Sequence, residues 1–325
     1  MQDQMSDMAL QSPRSDVPIR TDIVIVNWNA GDMLLRCVES IRDYSDNRVA
    51  RTIVVDNGST DGSDVLDVSG LDLEIIHAKA NLGFGRACNL GTKAGYAPYV
   101  LFLNPDAALM TGTVSTMLDF MERAENACVG VCGAKLLDES GHVQRHCANL
   151  PTPAMLLAAA SGIAGLLPSR VPTLHDHAFD HLSSRKVDHV IGACYLVRRS
   201  LFEALNGFDE RFFVYLEDLD LSARVQSAGY TIQYLAEAVG LHRGGGTSEQ
   251  VKPQRLAYSL ESRIAYAFKH FSFLSATAVA ATTLFVEPFP RLARATAKRS
   301  GSEARDTLLG FKLLWRRVFS SPEVR

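Results

Sequence analysis

The sequence predicts an α/β fold built on a mostly parallel, doubly wound sheet flanked by helices. Three observations point there. Short apolar runs alternate with helical spacings from residue 21 onward, the pattern of a parallel sheet wound by crossover helices. The runs are apolar at nearly every position, as expected of strands covered on both faces. Four successive runs end in polar or turn residues, and in such sheets ligands bind beyond the carboxyl ends of the strands.

The elements follow in order. Residues 21–29 (TDIVIVNWN) form a β-branched run ending at Asn27-Trp28-Asn29. Residues 32–44 place Leu34, Leu35, Val38 and Ile41 at helical spacing. RTIVV (51–55) runs into Asp56-Asn57-Gly58-Ser59, LEIIHA (73–78) is followed by Asn81-Leu82-Gly83, and YVLFL (99–103) ends at Asn104-Pro105-Asp106. Residues 84–96 read as a helix between the last two. Asp-Asn-Gly-Ser alone is turn chemistry; its recurrence at four strand ends is what suggests a site.

Further on, residues 127–134 (ACVGVCGA) read as a buried strand. Residues 187–198 read as a strand pair or one bent strand, and residues 200–206 as a short helix closed by Gly207. An acidic stretch then leads into a helix ending near Gly229, followed by a strand at 232–236, a glycine-rich loop at 241–248 and a helix at 253–270. Residues 150–186, with four prolines and His175, His177 and His181, read as an irregular solvated loop.

Composition narrows the function. The chain has 325 residues, 47% of them hydrophobic, so disorder and fibrous repeats are excluded. The net charge of −3 argues against a nucleic-acid binder. That total hides a split. Residues 251–325 carry 13 Lys/Arg against 5 Asp/Glu, or +8, and the rest carry 20 against 31, or −11. The six cysteines lie mostly in apolar stretches and read as core residues in a reducing compartment. Residues 1–20 hold acids and no apolar core, so they read as a flexible leader rather than a signal peptide.

IVIVNWN, VVDNGSTDGS, NLGFGRACNLG, LFLNPDA, GACYLVRRSLFEALNGFDERFFVYLEDLDLSAR and LHRGGGTS occur here in one order. In that order and spacing the chain resembles family 2 glycosyltransferases, nearest to their bacterial rhamnosyltransferase-like branch, over roughly residues 20–270. The resemblance implies a GT-A fold and an inverting transfer of sugar from a nucleotide-diphosphate sugar to a glycan or lipid-linked acceptor. It divides the chain into a catalytic domain at 21–250, with a nucleotide-binding half (21–110) and an acceptor half (111–250), and a C-terminal region at 251–325.

The resemblance also assigns residues. Val26, Trp28, Asp56, Asn57, Asn81, Gly83, Asn89 and Asn104 fall to the nucleotide sugar. Asp56 can accept hydrogen bonds from a base or ribose, and Trp28 offers a flat face, with core packing as its competing role. Gly83 opens a helix, where glycine permits close backbone approach and the N-terminus favours anions.

Asp106 is the candidate ligand for Mg2+ or Mn2+, hard cations that prefer carboxylate oxygen. The motif is Asn104-Pro105-Asp106 where the family usually has Asp-x-Asp, so one carboxylate stands in place of two. His242 is a further metal ligand by resemblance, and Arg243 and Arg263 are candidates for phosphate.

Asp218 is the base that takes the acceptor's hydroxyl proton, with Glu217 the second choice. Asp220 and Arg224 sit four apart on a helix and read as a structural pair.

The C-terminal region reads as surface-seeking. Residues 271–286 carry no charge but fall short of the ~20 residues of a spanning helix. Residues 307–319 place Leu308, Phe311, Leu314, Trp315 and Val318 on one face with Lys312, Arg316 and Arg317 elsewhere, as in helices that lie in a membrane interface. The expected location is cytoplasmic, peripheral at the inner face of the cell membrane, with packing on the catalytic domain or a second subunit as the competing use.

Two other readings compete with this one. Gly83-Phe-Gly85-Arg-Ala-Cys88 imitates a dinucleotide fingerprint but follows a third strand instead of a first. A catalytically silent nucleotide-sugar-binding or scaffold protein would have no need for Asp56, Asp106, Asp218 and His242.

Overall fold

The computed structural model describes residues 18, 20–166, 171, 173–174, 179–244 and 251–320. Residues 1–17, most of the expected leader, His175, His177 and residues 245–248 of the glycine-rich loop lie outside that set.

Four strands form the parallel half of the sheet: β1 (Thr21–Asn27), β2 (Val49–Asp56), β3 (Leu73–His77) and β4 (Tyr99–Leu103). They line up as β3-β2-β1-β4, all parallel. Helices α1 (Asp32–Tyr44) and α2 (Phe84–Ala94) cross between them on opposite faces. The period of two along β1 explains the two-sided core. Ile23 and Ile25 join the cluster under α1, while Val24 and Val26 join the one under α2. Chain order reverses on either side of β1, and the loops there open a crevice.

The second half of the sheet is mixed. It holds β5 (Ala107–Leu109), β6 (Val129–Leu137), β7 (Arg185–Val187), β8 (Cys194–Arg198) and β9 (Thr231–His242). The order continues β4-β8-β6-β9-β5, with β7 also on β9. β8 runs antiparallel to both neighbours, and only β6 and β9 pair in parallel. The parallel expectation therefore holds for the first four strands, while the later strands reach the sheet from both directions.

Helices α3 (Thr113–Glu122), α6 (Arg199–Ala204) and α7 (Glu217–Ser227) cover this half. β5 was not foreseen, being three residues long; it pairs with the far end of β9, with Ala107 opposite His242.

Part of the segment read as a solvated loop is helical. It holds α4 (Pro153–Ala160) and α5 (Ile163–Leu166), with Pro at the first turn of α4 and Thr152 capping it. His181 is fully buried beside Tyr234 rather than solvated. Five cysteines are buried, but Cys128 is exposed at the edge of β6.

The C-terminal region is four helices: α8 (Lys252–His270), α9 (Phe273–Ala281), α10 (Pro288–Ala297) and α11 (Gly301–Ser320). A π turn at Thr282–Val286 joins α9 to α10, so the apolar helix runs 25 residues from Phe273 to Ala297, not sixteen. Its most apolar 18-residue stretch has a mean hydropathy of 1.2, enough to cross a membrane by length and composition. A third of it is nonetheless buried within the protein.

The amphipathic face of α11 also turns inward. Phe311 and Leu314 pack with Leu260 of α8 and Leu284 of the π turn, and the Trp315 indole N–H donates to the Leu284 carbonyl at 3.1 Å. Among the described residues of α11, the large apolar side chains of Leu308, Leu309, Trp315 and Phe319 stay exposed. That amphipathic face therefore packs mainly on the neighbouring helices of the C-terminal region, rather than on the catalytic domain that the competing use named.

Candidate active site

A cavity of about 760 Å³ opens beyond the carboxyl ends of β1, β2 and β4. Of the sequence-derived residues, Val26, Trp28, Asn57, Asn81, Gly83, Asn104, Asp106 and His242 line it. Asp56, Asn89, Glu217 and Asp218 do not.

The wall at β1 and β2 is a polar net. Register sets Asn27 opposite Asp56, and the Asn27 amide donates to Asp56 at 3.0 Å. Asp56 also accepts the backbone N–H groups of Gly58 and Ser59. It is 4% exposed, so its oxygens shape the 57–59 turn from behind. Asn57 fronts the cavity in its place. Its carbonyl accepts the Leu82 N–H at 2.8 Å, and its amide donates to Asn81 at 2.9 Å.

Two nucleotide assignments change. Asn89 is consumed by a clasp: its amide donates to the Phe208 carbonyl and its carbonyl accepts the Phe208 N–H. It binds α2 to the 208 turn, outside the cavity. Gly83 does permit a close approach, but by protein. At φ +84°, a Cβ there would lie 2.2 Å from the Phe213 carbonyl oxygen. That carbonyl also takes the Phe84 N–H, so the start of α2 is tied to the 213 loop rather than left for an anion.

The floor holds Asp106 and His242. The Asn-Pro-Asp turn closes with Ala107 N–H donating to the Asn104 carbonyl, and β5 then pairs with the end of β9. That register brings the Asp106 carboxylate to 3.4 Å from His242 Nε2. Gln144 fixes the imidazole. Its amide donates to the His242 backbone carbonyl at 2.6 Å, so its carbonyl oxygen faces Nδ1 at 2.9 Å and accepts that N–H. The Nε2 lone pair is left facing a carboxylate oxygen. Two acceptors this close require a cation or proton between them, and a ligating His whose other nitrogen is held this way is a metal-site arrangement. The donor set of one carboxylate and one imidazole therefore fits a divalent ion.

Asp218 opens α7, one step behind the cavity wall. The Gly192 N–H donates to it at 3.0 Å, next to the cavity-lining Ile191. Asp220 points elsewhere, bonded to Arg224 at 2.8 Å as its spacing predicted. Glu217 is buried with one carboxylate oxygen lacking a hydrogen-bond partner. Burial, and then the charge of Asp218, push it well above the ordinary carboxylate range. A carboxyl pushed toward its protonated form is a poor proton acceptor, which argues against Glu217 as base.

Sequence reasoning missed the opposite wall. Phe213, Tyr215, Tyr258 and Arg255 line the cavity there. Tyr215 and Leu216 both hold positive φ, at 70° and 65°, an uncommon conformation that bends the chain into α7. No motif announces Arg255, which stands exposed in the first turns of α8. Arg263, named instead, is bound to the buried Glu287. Asp56, Asp64 and His77 also bring ligand atoms within 4.8 Å of one another, but outside this cavity.

Residues 22–205 match the family model for glycosyl transferase family 2. N-acetylglucosaminyl-diphospho-decaprenol L-rhamnosyltransferase of Mycobacterium tuberculosis is 32% identical over 234 residues, covering 68% of this chain and 75% of that protein. Rhamnosyltransferase WbbL of Escherichia coli is 27% identical over 191 residues, covering 57% of this chain and 69% of WbbL. The structure of mannosyltransferase PcManGT from Pyrobaculum calidifontis, in complex with GDP-Man and Mn2+, aligns with a TM-score of 0.53 at 14% identity. That alignment covers 94% of this chain and 89% of that one, and it shows a shared GT-A fold. With the family match spanning more than half its length, the chain belongs to glycosyl transferase family 2, as a nucleotide-sugar hexosyltransferase of polysaccharide or glycan biosynthesis.

Proposed function

We propose that the chain transfers L-rhamnose from dTDP-rhamnose to a hydroxyl of a lipid-linked N-acetylglucosamine acceptor, inverting the anomeric carbon. The name of the Mycobacterium tuberculosis relative supports both sugar and acceptor. The observation that carries the chemistry is the Asp106–His242 pair on the cavity floor, 3.4 Å apart. These two residues would hold Mg2+ or Mn2+, which supplies Lewis-acid stabilisation to the departing diphosphate.

The chain's own residues do the rest. Trp28, Asn57 and Asn81 bind the nucleoside end of the donor along the β1–β2 wall. Arg255 adds a cation on the diphosphate side. Asp218 accepts the acceptor's hydroxyl proton as that oxygen attacks the anomeric carbon. The bond from that carbon to the diphosphate oxygen breaks, and the new bond forms on the opposite face of the sugar.

The exposed apolar side chains of α9 and α10 support work at the cytoplasmic membrane face, where a lipid-linked acceptor sits.

Thermal unfolding with Mn2+ or Mg2+ and dTDP, UDP or GDP tests the donor class, because a ligand that binds the native state stabilises it. We expect dTDP with metal to raise Tm most. A larger response to UDP or GDP would reassign the base. Asp218→Asn should lower turnover about 10²–10⁴-fold, the usual contribution of general-base catalysis, while the dTDP response persists. Near-normal turnover would remove Asp218 from the role.

A further inference from the structure

Behind Asp218 lies a buried polar row that transfer chemistry alone does not account for. His189 Nε2 is 3.6 Å from the Asp218 carboxylate. Its Nδ1 is 2.9 Å from the Ser222 hydroxyl, and that hydroxyl is 3.5 Å from the Tyr195 phenol. Ser222 and Tyr195 are fully buried, and His189 is 4% exposed. Ser222 lies one helical turn beyond Asp218 on α7, so one helix presents both partners to the imidazole.

The polarity of the row follows from charge. An ionised Asp218 repels a bare Nε2 lone pair and attracts an N–H. Nε2 therefore carries the proton and Nδ1 accepts from Ser222, whose oxygen can then accept from Tyr195. At 3.6 Å the Nε2–H is just beyond hydrogen-bond length, and such contacts tighten when substrates bind.

We propose that His189 is a positioning residue for Asp218: its Nε2–H, held by the Ser222 hydroxyl, orients the carboxylate toward the acceptor. This rests on Asp218 being the base. Other groups face the pair. Glu217, the Cys88 thiol and the Tyr195 phenol feel the charge of Asp218, and His146 feels His189. Burial keeps Cys88 and Tyr195 uncharged, since it raises both well above their ordinary values. His146 is pushed down to about 3, first by burial, and is neutral above that. Beside the backbone N–H groups of Gly192 and Leu219, His189 thus brings a side-chain N–H to Asp218.

The first test needs no substrate. Nitrogen-15 NMR of histidine-labelled full-length protein should show the Nε2–H tautomer for His189 at neutral pH. In Asp218→Asn the His189 titration should move to lower pH, because a stabilising negative charge is gone. An Nδ1–H tautomer, or a titration unmoved by Asp218→Asn, would overturn the proposal.

The second uses rhamnosyl transfer from dTDP-rhamnose to N-acetylglucosaminyl-diphospho-decaprenol. His189→Ala should lower kcat about 10–100-fold, with dTDP affinity within twofold. His189→Gln, which keeps an N–H donor, should recover much of the loss. Ser222→Ala frees the tautomer with little change in volume and should lower kcat by less, which serves if His189→Ala does not fold. Equal losses of kcat in the Ala and Gln variants would reduce His189 to packing. Near-normal turnover in Asp218→Asn would instead sink the base assignment itself, whatever the NMR shows.

Discussion

Glu217 and Asp218 are chain neighbours with different surroundings. Asp218 meets the Gly192 N–H at the edge of the cavity, whereas Glu217 is packed near Gly85 with an unpartnered oxygen. Linkage makes the difference measurable. Below the ordinary glutamate value of 4.5, folded and unfolded chains both hold the Glu217 proton. Above it the unfolded chain releases the proton while the folded chain keeps it, so stability falls as pH rises through that window. Glu217→Gln should remove this dependence. Between pH 5 and pH 8 its Tm should fall less than that of the wild type, and turnover should stay within about tenfold, since it is not the base. A Tm–pH curve parallel to the wild type would mean that Glu217 is ionised in the fold.

Arg255 carries a second residue-scale prediction. A charge-assisted contact to a diphosphate is worth about 1.5–3 kcal/mol, so Arg255→Ala should weaken dTDP binding roughly tenfold or more and leave thymidine binding unchanged. Equal affinity for dTDP in both proteins would place Arg255 outside the site. At this scale the sequence was legible where a residue's type decides its role, as with the Asp220–Arg224 spacing. It was illegible where tertiary partners decide. Nothing local shows that Phe208 claims Asn89, that Phe213 fills the space over Gly83, or that Gln144 orients His242.

The elements were legible wherever periodicity is long and strong. α1 and β4 fall where their apolar spacings place them. β5 is too short to show a period and exists because β9 offers it an edge, yet it is what joins Asp106 to His242. α7 and α8 are likewise joined by a contact no motif displays. Asp220 on α7 is fully buried and meets Arg224, Lys269 and His270, the last two from the end of α8. Burial alone would raise its pKa, but the hydrogen bonds from His270 and Lys269 and the charge of Arg224 override that and hold it below the ordinary carboxylate value.

Removing one partner from a buried ionic cluster leaves uncompensated charge and typically costs about 3–5 kcal/mol. Asp220→Ala should therefore lower Tm clearly at neutral pH. The wild type should lose part of the same stabilisation below the ordinary Asp value of 3.8, as the unfolded carboxylate takes up protons and the folded one follows at lower pH. A loss under about 1 kcal/mol, read from urea unfolding at pH 7, would show that the cluster does not secure α8 to the catalytic helix.

Across the whole molecule, charge and apolar exposure change together near residue 250. Residues 1–250 are −11 and the C-terminal region +8. The helical region also exposes large apolar side chains on α9 and α10: Phe273 at 79%, Leu274 at 81% and Phe289 at 71%. The Arg294 and Arg299 side chains are exposed nearby in the chain. Large apolar side chains left this exposed suit a surface that something covers, and flanking cations suit an anionic leaflet.

Deleting residues 288–325 would be a poor test of the proposed membrane face, because Phe311 and Leu314 belong to the core of α8 and their loss would unfold it. Point changes on the outward side chains avoid that. Phe273→Ser, Leu274→Ser and Phe289→Ser together should leave Tm near the wild-type value, since the wild-type side chains are mostly exposed already. Each buried CH₂ contributes about 0.8 kcal/mol to partitioning, so the triple variant should sediment with phosphatidylglycerol-containing vesicles at least tenfold less than the wild type. Raising salt from 0.05 to 0.5 M should weaken the wild type as well, through screening of the basic side chains. Sedimentation of the triple variant equal to the wild type would take the membrane role away from α9 and α10.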